Sequence, residues 1–177
     1  MLTISSTDEP LERTKAVVVE HVEAGRLRLA LHHAGPELER IGLGWSTGQG
    51  PDAELSPLGR AMQAALERYA RGREPQWPEV DLPKKGLPRF TVQVLRVLRQ
   101  EVGFGRVVSY GELAGLAGNE RAARAVGGAL ARNLWPLLVP CHRVVGAGGA
   151  LTGFTNPCGL EMKRYLLELE STGSDRA

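Results

Sequence analysis

Residues 109–132 decide the fold, and they read SYGELAGLAGNERAARAVGGALAR. Ser109 is a favourable N-cap residue and Glu112 follows it three positions later, so the two predict a capping box at the start of a short helix. Gly118-Asn119 interrupts that helix, and Arg121 to Arg132 predicts a second, alanine-rich helix. Two helices joined by a tight glycine-containing turn, the second one basic, predict a helix-turn-helix.

The second of these helices carries small residues at Ala125, Gly127, Gly128 and Ala129. Small side chains let a helix backbone approach another surface closely. The same residues are compatible with tight packing against another helix in the core. From the residues alone, both interpretations stay open.

Downstream, the stretch Val139-Pro140-Cys141-His142-Arg143-Val144 presents a candidate nucleophile. Pro140 restricts the backbone before Cys141, and His142 and Arg143 are expected to favour the thiolate form of its side chain. The alternative is a buried structural cysteine, since free cysteines are among the most buried residue types. Adjacency in sequence does not place the imidazole on the sulfur, because successive side chains of an extended segment diverge.

The first half of the chain predicts a small α+β unit, an antiparallel sheet plus a helix. Lys15 to His21 and Arg26 to His33 are rich in β-forming residues and meet at Ala24-Gly25, which predicts a hairpin. Leu38 to Trp45 predicts a third strand. Leu58 to Ala70 predicts a helix, because its apolar residues recur every three or four positions.

Prolines and glycines interrupt regular structure between Gly72 and Pro88. This stretch cannot sustain a helix or a central strand and is the best candidate for a linker. After it, Phe90 to Val102 predicts an amphipathic helix that begins a mostly α-helical second domain. The resulting prediction is an N-terminal α+β domain at 1–74, a linker at 75–89, a C-terminal helix-turn-helix and active-site domain at 90–171, and a flexible tail at 172–177.

The composition is that of a globular protein. The chain has 177 residues, enough for one domain or two small ones, with 42% hydrophobic and 24% charged residues. No apolar run approaches the ~20 residues that a membrane span needs, and Met1 to Pro10 is acidic and polar, unlike a secretory signal. We therefore expect an intracellular, cytoplasmic protein that does not enter membranes.

The cysteines and histidines do not indicate a metal site. Cys141 and Cys158 are too few for a disulfide framework, so both are expected to be thiols in a reducing compartment. The four histidines are not paired with cysteines at the spacing of zinc ligands. We predict neither a structural metal nor a cofactor.

The net charge of +2 conceals an excess of basic residues in the second half, where residues 90–177 hold 10 Lys and Arg against 7 Asp and Glu. From Arg121 to Arg143 there are four arginines and no acidic residue. This stretch is the candidate contact surface for a polyanion such as nucleic acid, although an excess of this size also occurs on ordinary solvated faces.

Taken together, these motifs resemble the O6-alkylguanine-DNA alkyltransferases. The resemblance rests on SYGELA at 109–114, RAARAVGGA at 121–129, PCHRV at 140–144 and matching positions from Gly159 to Glu170. It covers roughly Phe90 to Glu170, and it implies a ribonuclease-H-like unit ahead of a helix-turn-helix domain. Some members bind zinc in the N-terminal half, but this chain has no cysteine before Cys141, so we predict no metal there.

The resemblance also implies a role for each residue of the reaction. Cys141 takes the alkyl group from guanine O6 irreversibly, and His142 and Glu170 form with a water the network that draws the thiol proton away. Tyr110 assists the departing guanine by donating a proton to its N3 atom. These implied roles describe a single-turnover DNA repair protein that flips O6-alkylguanine out of duplex DNA.

Further residues are implied to bind DNA or to shape the pocket. Arg124 enters the base stack and fills the gap left by the flipped nucleotide, and Asn133 is a hinge between the helix-turn-helix and the cysteine segment. The other implied DNA-binding positions are Ser109, Ala125, Gly127 and Gly128, and the other implied hinge and pocket positions are Pro136, Pro140, Arg143, Phe154 and Thr155.

The stretch Thr155-Asn156-Pro157-Cys158-Gly159 departs from the family pattern, because it is two residues longer than in the relatives it resembles. The sequence does not predict the shape of this loop. Cys158 is interpreted as a bystander, although a second thiol near the pocket is open to oxidation or alkylation. Trp135 is interpreted as a core aromatic residue.

Two other classes of function stay open. A non-catalytic relative that recognises alkylated bases lacks the cysteine, whereas this chain has Cys141. A Cys-His hydrolase needs a histidine and an orienting carboxylate, which His142 and Glu170 could mimic, but it gives the helix-turn-helix no purpose. The expected partner is double-stranded DNA carrying O6-alkylguanine, bound by a monomer, with cooperative binding left open.

Overall fold

Three short strands form a sheet at the start of the computed structural model, which describes residues 17–34, 37–83 and 86–174. The strands β1 (Val18–Ala24), β2 (Leu27–Ala34) and β3 (Glu37–Trp45) pair antiparallel in that order. β1 and β2 are joined by a two-residue turn in which Gly25 has a φ of 57°, a conformation that glycine adopts without steric cost. The predicted hairpin and third strand are confirmed. The first strand ends later than predicted, at Ala24, and Lys15 and Ala16 lie outside the described residues.

One face of the sheet packs against helix α1 (Pro57–Ala70). The buried face of α1 carries Met62, Leu66 and Tyr69, and the helix predicted over Leu58 to Ala70 is confirmed. The Ser56 hydroxyl caps it by accepting a hydrogen bond from the Gly59 amide at 3.0 Å. Packing of this apolar stripe on the sheet closes the core of the N-terminal half.

Side chains occupy the outer edge of β1. The Asp52 carboxylate accepts a hydrogen bond from the His21 amide at 2.8 Å, and the Asp52 amide donates to the His21 carbonyl at 3.0 Å. The side chain of Gln63 in α1 binds the backbone of Glu23 in a similar way. Gln63 Oε1 accepts from the Glu23 amide and Gln63 Nε2 donates to the Glu23 carbonyl, each at 3.0 Å. These contacts satisfy backbone groups that an edge strand otherwise offers to another chain.

The second half of the chain covers the opposite edge, along β3. The contacts are hydrogen bonds from the Ile41 amide to the Leu134 carbonyl at 2.8 Å, from the Trp135 indole to the Leu38 carbonyl at 2.9 Å, and from the Asn156 side-chain amide to the Leu43 carbonyl at 2.8 Å. The two halves are therefore joined along β3.

Residues 71–83 and 86–88 contain no helix or strand, as their prolines predict. Helix α2 (Arg89–Glu101) follows, one residue earlier at each end than the predicted Phe90 to Val102. Its buried face, which includes Val94 and Leu98, lies in the core of a mostly helical second half.

Helix α3 (Tyr110–Leu116) begins with the predicted capping box. The Glu112 amide donates to the Ser109 hydroxyl at 3.1 Å, and the Glu112 carboxylate accepts from the Ser109 amide at 2.6 Å. Gly118 follows α3 with a φ of 85°. Helix α4 (Ala123–Leu130) is shorter than the predicted Arg121 to Arg132. At both ends turns replace the helix, because the amides of Ala122 and Arg132 bond to carbonyls three positions earlier and not four.

The cysteine segment runs from α4 through a loop to a 3₁₀ turn at Cys141–Arg143. Strand β5 (Val144–Val145) follows and pairs parallel with β4 (Val108–Ser109). The last element, helix α5 (Gly159–Ser174), extends into the segment predicted as a tail, and residues 175–177 lie outside the described part. None of the helices in the described ranges is long and apolar enough to cross a membrane.

Candidate active site

Cys141 is half-buried at the start of its 3₁₀ turn and lines a cavity of ≈ 340 Å³. α3 supplies Tyr110 to the cavity, the end of α4 supplies Leu130, and the loop before α5 supplies Phe154 and Thr155. The other lining residues are Gly127, Ala131, Thr152 and Gly153. The structure thus brings together five of the predicted site residues, which are Tyr110, Gly127, Cys141, Phe154 and Thr155.

His142 and Glu170 lie behind this cavity as a buried pair. Each is 1% exposed, and His142 Nε2 lies 2.7 Å from Glu170 Oε1. Burial lowers the pKa of His142, so its ring is neutral at pH 7. Burial alone would raise the pKa of Glu170, but hydrogen bonds from His142 and Arg143 outweigh it and lower that pKa to about 2. The pair therefore consists of a neutral imidazole and an ionised carboxylate.

Tyr69 of α1 also belongs to this network. Its hydroxyl donates to Glu170 Oε1 at 2.8 Å and lies 3.4 Å from His142 Nε2. The Gly105 amide donates to Glu170 Oε2 at 3.0 Å. Glu170 thus binds groups from both halves of the chain.

Arg143 contacts Glu170. Its guanidinium donates to Glu170 Oε2 at 2.8 Å and Oε1 at 3.0 Å, and to the Val102 carbonyl at 2.7 Å. Arg143 thus forms a buried ion pair with Glu170. Its expected effect on the Cys141 thiolate stays a prediction.

Lys163 of α5 is a buried cation near the thiol. It is 0% exposed, and its ammonium donates to the carbonyls of Val144 at 2.6 Å and Thr152 at 2.7 Å. Burial raises the pKa of the Cys141 thiol, while the Asn133 side chain and the positive charge of Lys163 act in the opposite direction. The net effect is a raised pKa, so the resting thiol is protonated and needs a base.

Tyr110 faces the loop that closes the cavity. Its hydroxyl lies 3.3 Å from the carbonyl oxygens of both Thr152 and Gly153. Burial raises the pKa of Tyr110, and the hydrogen bond to Thr152 opposes this change. The phenol is therefore neutral at pH 7 and able to donate a proton.

The exposed face of α4 carries Arg124 and Ala125. Ala129 is 1% exposed and packs in the core. The small residues of this helix therefore include one that packs in the core and one, Ala125, that is free to approach another surface. Gly127 and Gly128 are half-buried, and Ser109 caps α3. None of Ser109, Arg124, Ala125 and Gly128 lines the cavity that contains Cys141.

The predicted hinge residue Asn133 closes the loop before Cys141. Its Nδ2 donates to the Val139 carbonyl at 2.8 Å, and its Oδ1 accepts from the Trp135 amide at 3.0 Å. Pro136 is half-buried within this loop and Pro140 is buried at its end. Trp135 is 2% exposed and lies in the core.

The described residues contain no cluster of three or more histidine, cysteine, aspartate or glutamate side chains that could hold a metal ion. Cys158 is half-buried in the loop before α5, where its amide donates to Asn156 Oδ1 at 2.8 Å.

Two residues of the site escaped the interpretation of the sequence. Tyr69 appeared there only as part of an apolar helical stripe, and nothing local links its hydroxyl to Glu170, 101 positions away. Lys163 carried a detectable signal, because its spacing of three from Leu166 and seven from Glu170 places it on their side of a helix.

This chain is similar to several known proteins. The domain family described as the DNA binding domain of 6-O-methylguanine DNA methyltransferase matches residues 89–172. The methylated-DNA–protein-cysteine methyltransferase of Haemophilus influenzae is 40% identical over 114 residues, which are 64% of this chain and 62% of that protein. The protein of the same name from Methanopyrus kandleri is 42% identical over 122 residues, which are 68% of this chain and 86% of that protein.

A solved structure extends the similarity to the N-terminal half. The crystal structure of Mycobacterium tuberculosis OGT in complex with DNA is 32% identical and has a TM-score of 0.71, covering 86% of this chain and 92% of that chain. The matching region spans less than two thirds of the Haemophilus protein's own length, at 62%. Because the identity exceeds 30% over most of the Methanopyrus and Mycobacterium proteins, this chain belongs to the 6-O-methylguanine DNA methyltransferase family.

Proposed function

We propose that this protein transfers an alkyl group from O6-alkylguanine in duplex DNA irreversibly to its own Cys141. The observation that carries the proposal is the position of Cys141, which lines a cavity while the next residue, His142, is paired with the buried Glu170. The Haemophilus and Methanopyrus relatives bear the name methylated-DNA–protein-cysteine methyltransferase. DNA as a partner is supported by the Mycobacterium relative, whose structure is a complex with DNA.

The first step removes the thiol proton. The thiol of Cys141 is protonated at rest because burial raises its pKa. The neutral His142 accepts this proton through a water molecule, and the ionised Glu170 stabilises the resulting imidazolium. Lys163 stabilises the thiolate that forms, because its ammonium group is nearby and buried.

The second step is displacement at the alkyl carbon. The Cys141 sulfur forms a bond to the carbon while the bond from the carbon to guanine O6 breaks, and the electron pair of that bond passes to the guanine. Tyr110 donates its proton to guanine N3, so that neutral guanine leaves. Water does not cleave the thioether that remains on Cys141, so each molecule reacts once.

The guanine must leave the base stack before it can enter the cavity, at a cost of roughly a few kcal/mol. We propose that α3 and α4 form a helix-turn-helix and that Arg124, on the exposed face of α4, fills the vacated position. Ala125 beside it and the half-buried Gly127 and Gly128 let the helix lie close to the groove. Ser109, at the start of α3, is the remaining proposed contact with DNA.

The pocket and its hinge come from the loops on either side of Cys141. Phe154 and Thr155 are proposed to contact the flipped base, because both line the cavity. Asn133, with Pro136 and Pro140, holds the loop that joins α4 to Cys141. Arg143 acts from behind the pocket by holding Glu170.

The domain boundaries are part of the proposal. The antiparallel sheet followed by α1 supports a ribonuclease-H-like unit at 1–74, with a linker at 75–89 and the DNA-binding and reactive unit at 90–171. Because the reaction consumes a reduced thiol, we propose that the protein works in a reducing compartment, the cytoplasm. We also propose that the protein acts on DNA as a monomer, because Cys141, Tyr110 and the other residues given a role in the reaction belong to one chain.

The intact mass of the protein after incubation with a duplex containing O6-methylguanine tests the proposal. We expect a stoichiometric gain of one methyl group, which Cys141→Ser abolishes and the matched variant Cys158→Ala leaves unchanged. No gain on the wild-type protein would favour a non-catalytic, base-recognising relative, and an adduct lost in water would favour a hydrolase. Transfer that survives in Cys141→Ser would exclude Cys141 as the acceptor.

A further inference from the structure

One wall of the cavity is fastened to the N-terminal sheet by the side chain of Asn156. Asn156 follows the lining residues Phe154 and Thr155, and its Nδ2 donates to the Leu43 carbonyl of β3 at 2.8 Å. The two residues are 113 positions apart. This contact therefore connects the loop that lines the cavity to the half of the molecule that contributes no residue to its lining.

The same side chain also shapes the loop. Asn156 Oδ1 accepts a hydrogen bond from the Cys158 amide at 2.8 Å, and the Asn156 carbonyl accepts from the Gly159 amide at 2.9 Å, where α5 begins. These residues belong to the stretch that was expected from the sequence to depart from the family pattern. This loop is thus a closed turn, and the side chain of Asn156 both closes the turn and anchors it.

The anchor on β3 is itself held against α5. The rings of Trp45 and Tyr165 contact each other edge to face, with their centres 5.4 Å apart. The guanidinium carbon of Arg26 lies against both, 4.7 Å from the centre of the Trp45 ring and 5.0 Å from that of Tyr165. Trp45 ends β3 two residues after Leu43, and Tyr165 lies in α5. Cation–π contacts of this kind fix β3 relative to the helix that follows the loop.

The position of this loop sets the space beside Tyr110. A Cβ atom on Gly153 would lie 2.6 Å from the Tyr110 hydroxyl, so backbone and ring are already in close contact there. An outward movement of the loop would widen the cavity between Tyr110 and Phe154. A wider cavity would hold a small alkyl group less firmly in line with the Cys141 sulfur.

We propose that Asn156 is a positioning residue that sets the width of the alkyl pocket by anchoring its wall to Leu43 of the N-terminal sheet. This inference rests on the proposed function and gives the N-terminal half a part in choosing the alkyl group. Small groups depend on the anchored wall, whereas a large group fills the pocket and holds itself in place. The anchor therefore favours methyl over benzyl transfer.

Two variants separate the anchor from the turn. Asn156→Ala removes both side-chain contacts, whereas Asn156→Asp keeps an acceptor for the Cys158 amide but has no donor for the Leu43 carbonyl. Single-turnover rates are measured on two duplexes of one sequence, carrying O6-methylguanine or O6-benzylguanine. For both variants we expect the ratio of the methyl to the benzyl rate to fall about tenfold, because a misplaced reacting carbon costs rate.

Trp135→Phe is the matched control, because it removes another hydrogen bond between the halves, from the indole to the Leu38 carbonyl of the same strand. It should lower the melting temperature and leave the rate ratio unchanged. An unchanged ratio in Asn156→Asp, or an equal change in Trp135→Phe, would overturn the positioning role. Absence of methyl transfer by the wild-type protein would refute the proposed function itself. Failure of that function is thereby distinguished from failure of the role proposed for Asn156.

Discussion

Two buried histidine–glutamate pairs lie in the described part of the chain, and they occupy different surroundings. In the N-terminal sheet, His33 Nε2 lies 3.0 Å from Glu20 Oε2. In the second half, His142 Nε2 lies 2.7 Å from Glu170 Oε1. Both glutamates have a lowered pKa, because hydrogen bonds to each carboxylate outweigh the effect of its burial. The pairs therefore resemble each other in chemistry and burial.

The difference lies in what else each glutamate binds. Glu20 accepts hydrogen bonds from the Ser56 amide at 2.5 Å and the Ser56 hydroxyl at 2.7 Å, and so it holds the start of α1. Glu170 instead binds Tyr69 and Arg143 beside the turn that begins with Cys141. A buried pair becomes catalytic machinery only when a nucleophile lies within reach of it, so the pair alone does not indicate a reaction.

Replacement of each histidine is the strongest way to separate the pairs. We expect His142→Gln to slow methyl transfer by about 10² to 10⁴-fold, the usual contribution of a general base. His33→Gln should leave the rate unchanged, because its ring lies in the sheet. Single-turnover transfer from an O6-methylguanine duplex measures both. Equal losses in the two variants would show that folding, and not proton transfer, sets the rate.

The pH dependence of the same reaction sharpens this comparison. Because burial holds the pKa of His142 below its ordinary value of 6.5, the ring stays neutral as the pH falls to 6.5 and becomes protonated only at lower pH. The transfer rate should therefore decline below pH 6.5 and not above it. The decline should persist in His33→Gln and disappear in His142→Gln.

Replacement of each glutamate should differ in its effect on stability. Glu170→Gln leaves the buried Arg143 without its counter-charge, and we expect the free energy of unfolding to fall by about 3–5 kcal/mol. Glu20→Gln leaves no buried arginine unpaired and should cost about 1–3 kcal/mol. Urea denaturation at pH 7 gives both values. Above its unfolded-state pKa of 4.5 the Glu170 contribution is present, and it should be lost as the pH falls toward 2.

The smallest expected effects concern the hydroxyl groups that bind each glutamate. Tyr69→Phe removes one hydrogen bond from Glu170 and should cost about 1 kcal/mol of stability and slow transfer severalfold. Ser56→Ala removes the cap of α1 at a similar cost of about 0.5–2 kcal/mol and should leave transfer unchanged. Melting curves and transfer rates on the same preparations test this pair. Slower methyl transfer by the Ser56→Ala variant would contradict the purely structural role of the His33–Glu20 pair.

Local features of the fold were readable from the sequence. The Ser109–Glu112 capping box, the Gly25 turn and the apolar stripe of α2 each depend on residues a few positions apart. Such signals specify where helices and turns begin. They fix the exact terminal residues of a helix less well, and α4 was predicted to extend two residues too far in each direction.

The site was less readable because its parts are distant in sequence. Glu170 and His142 came together through a family resemblance, not through any spacing rule. Tyr69 lies 73 positions from His142, so its hydroxyl contact had no local signal. The contact between Arg143 and Glu170, 27 positions away, likewise had no local signal.

The contacts that cover β3 have a consequence for synthesis of the chain. The strand is complete once Trp45 has been made, but the groups that bind its edge belong to Leu134, Trp135 and Asn156. On a ribosome working at about 5–20 residues per second, β3 therefore waits several seconds with an open edge. During that interval the nascent chain is exposed to pairing with other strands. Chaperone binding at this stage would protect the open strand.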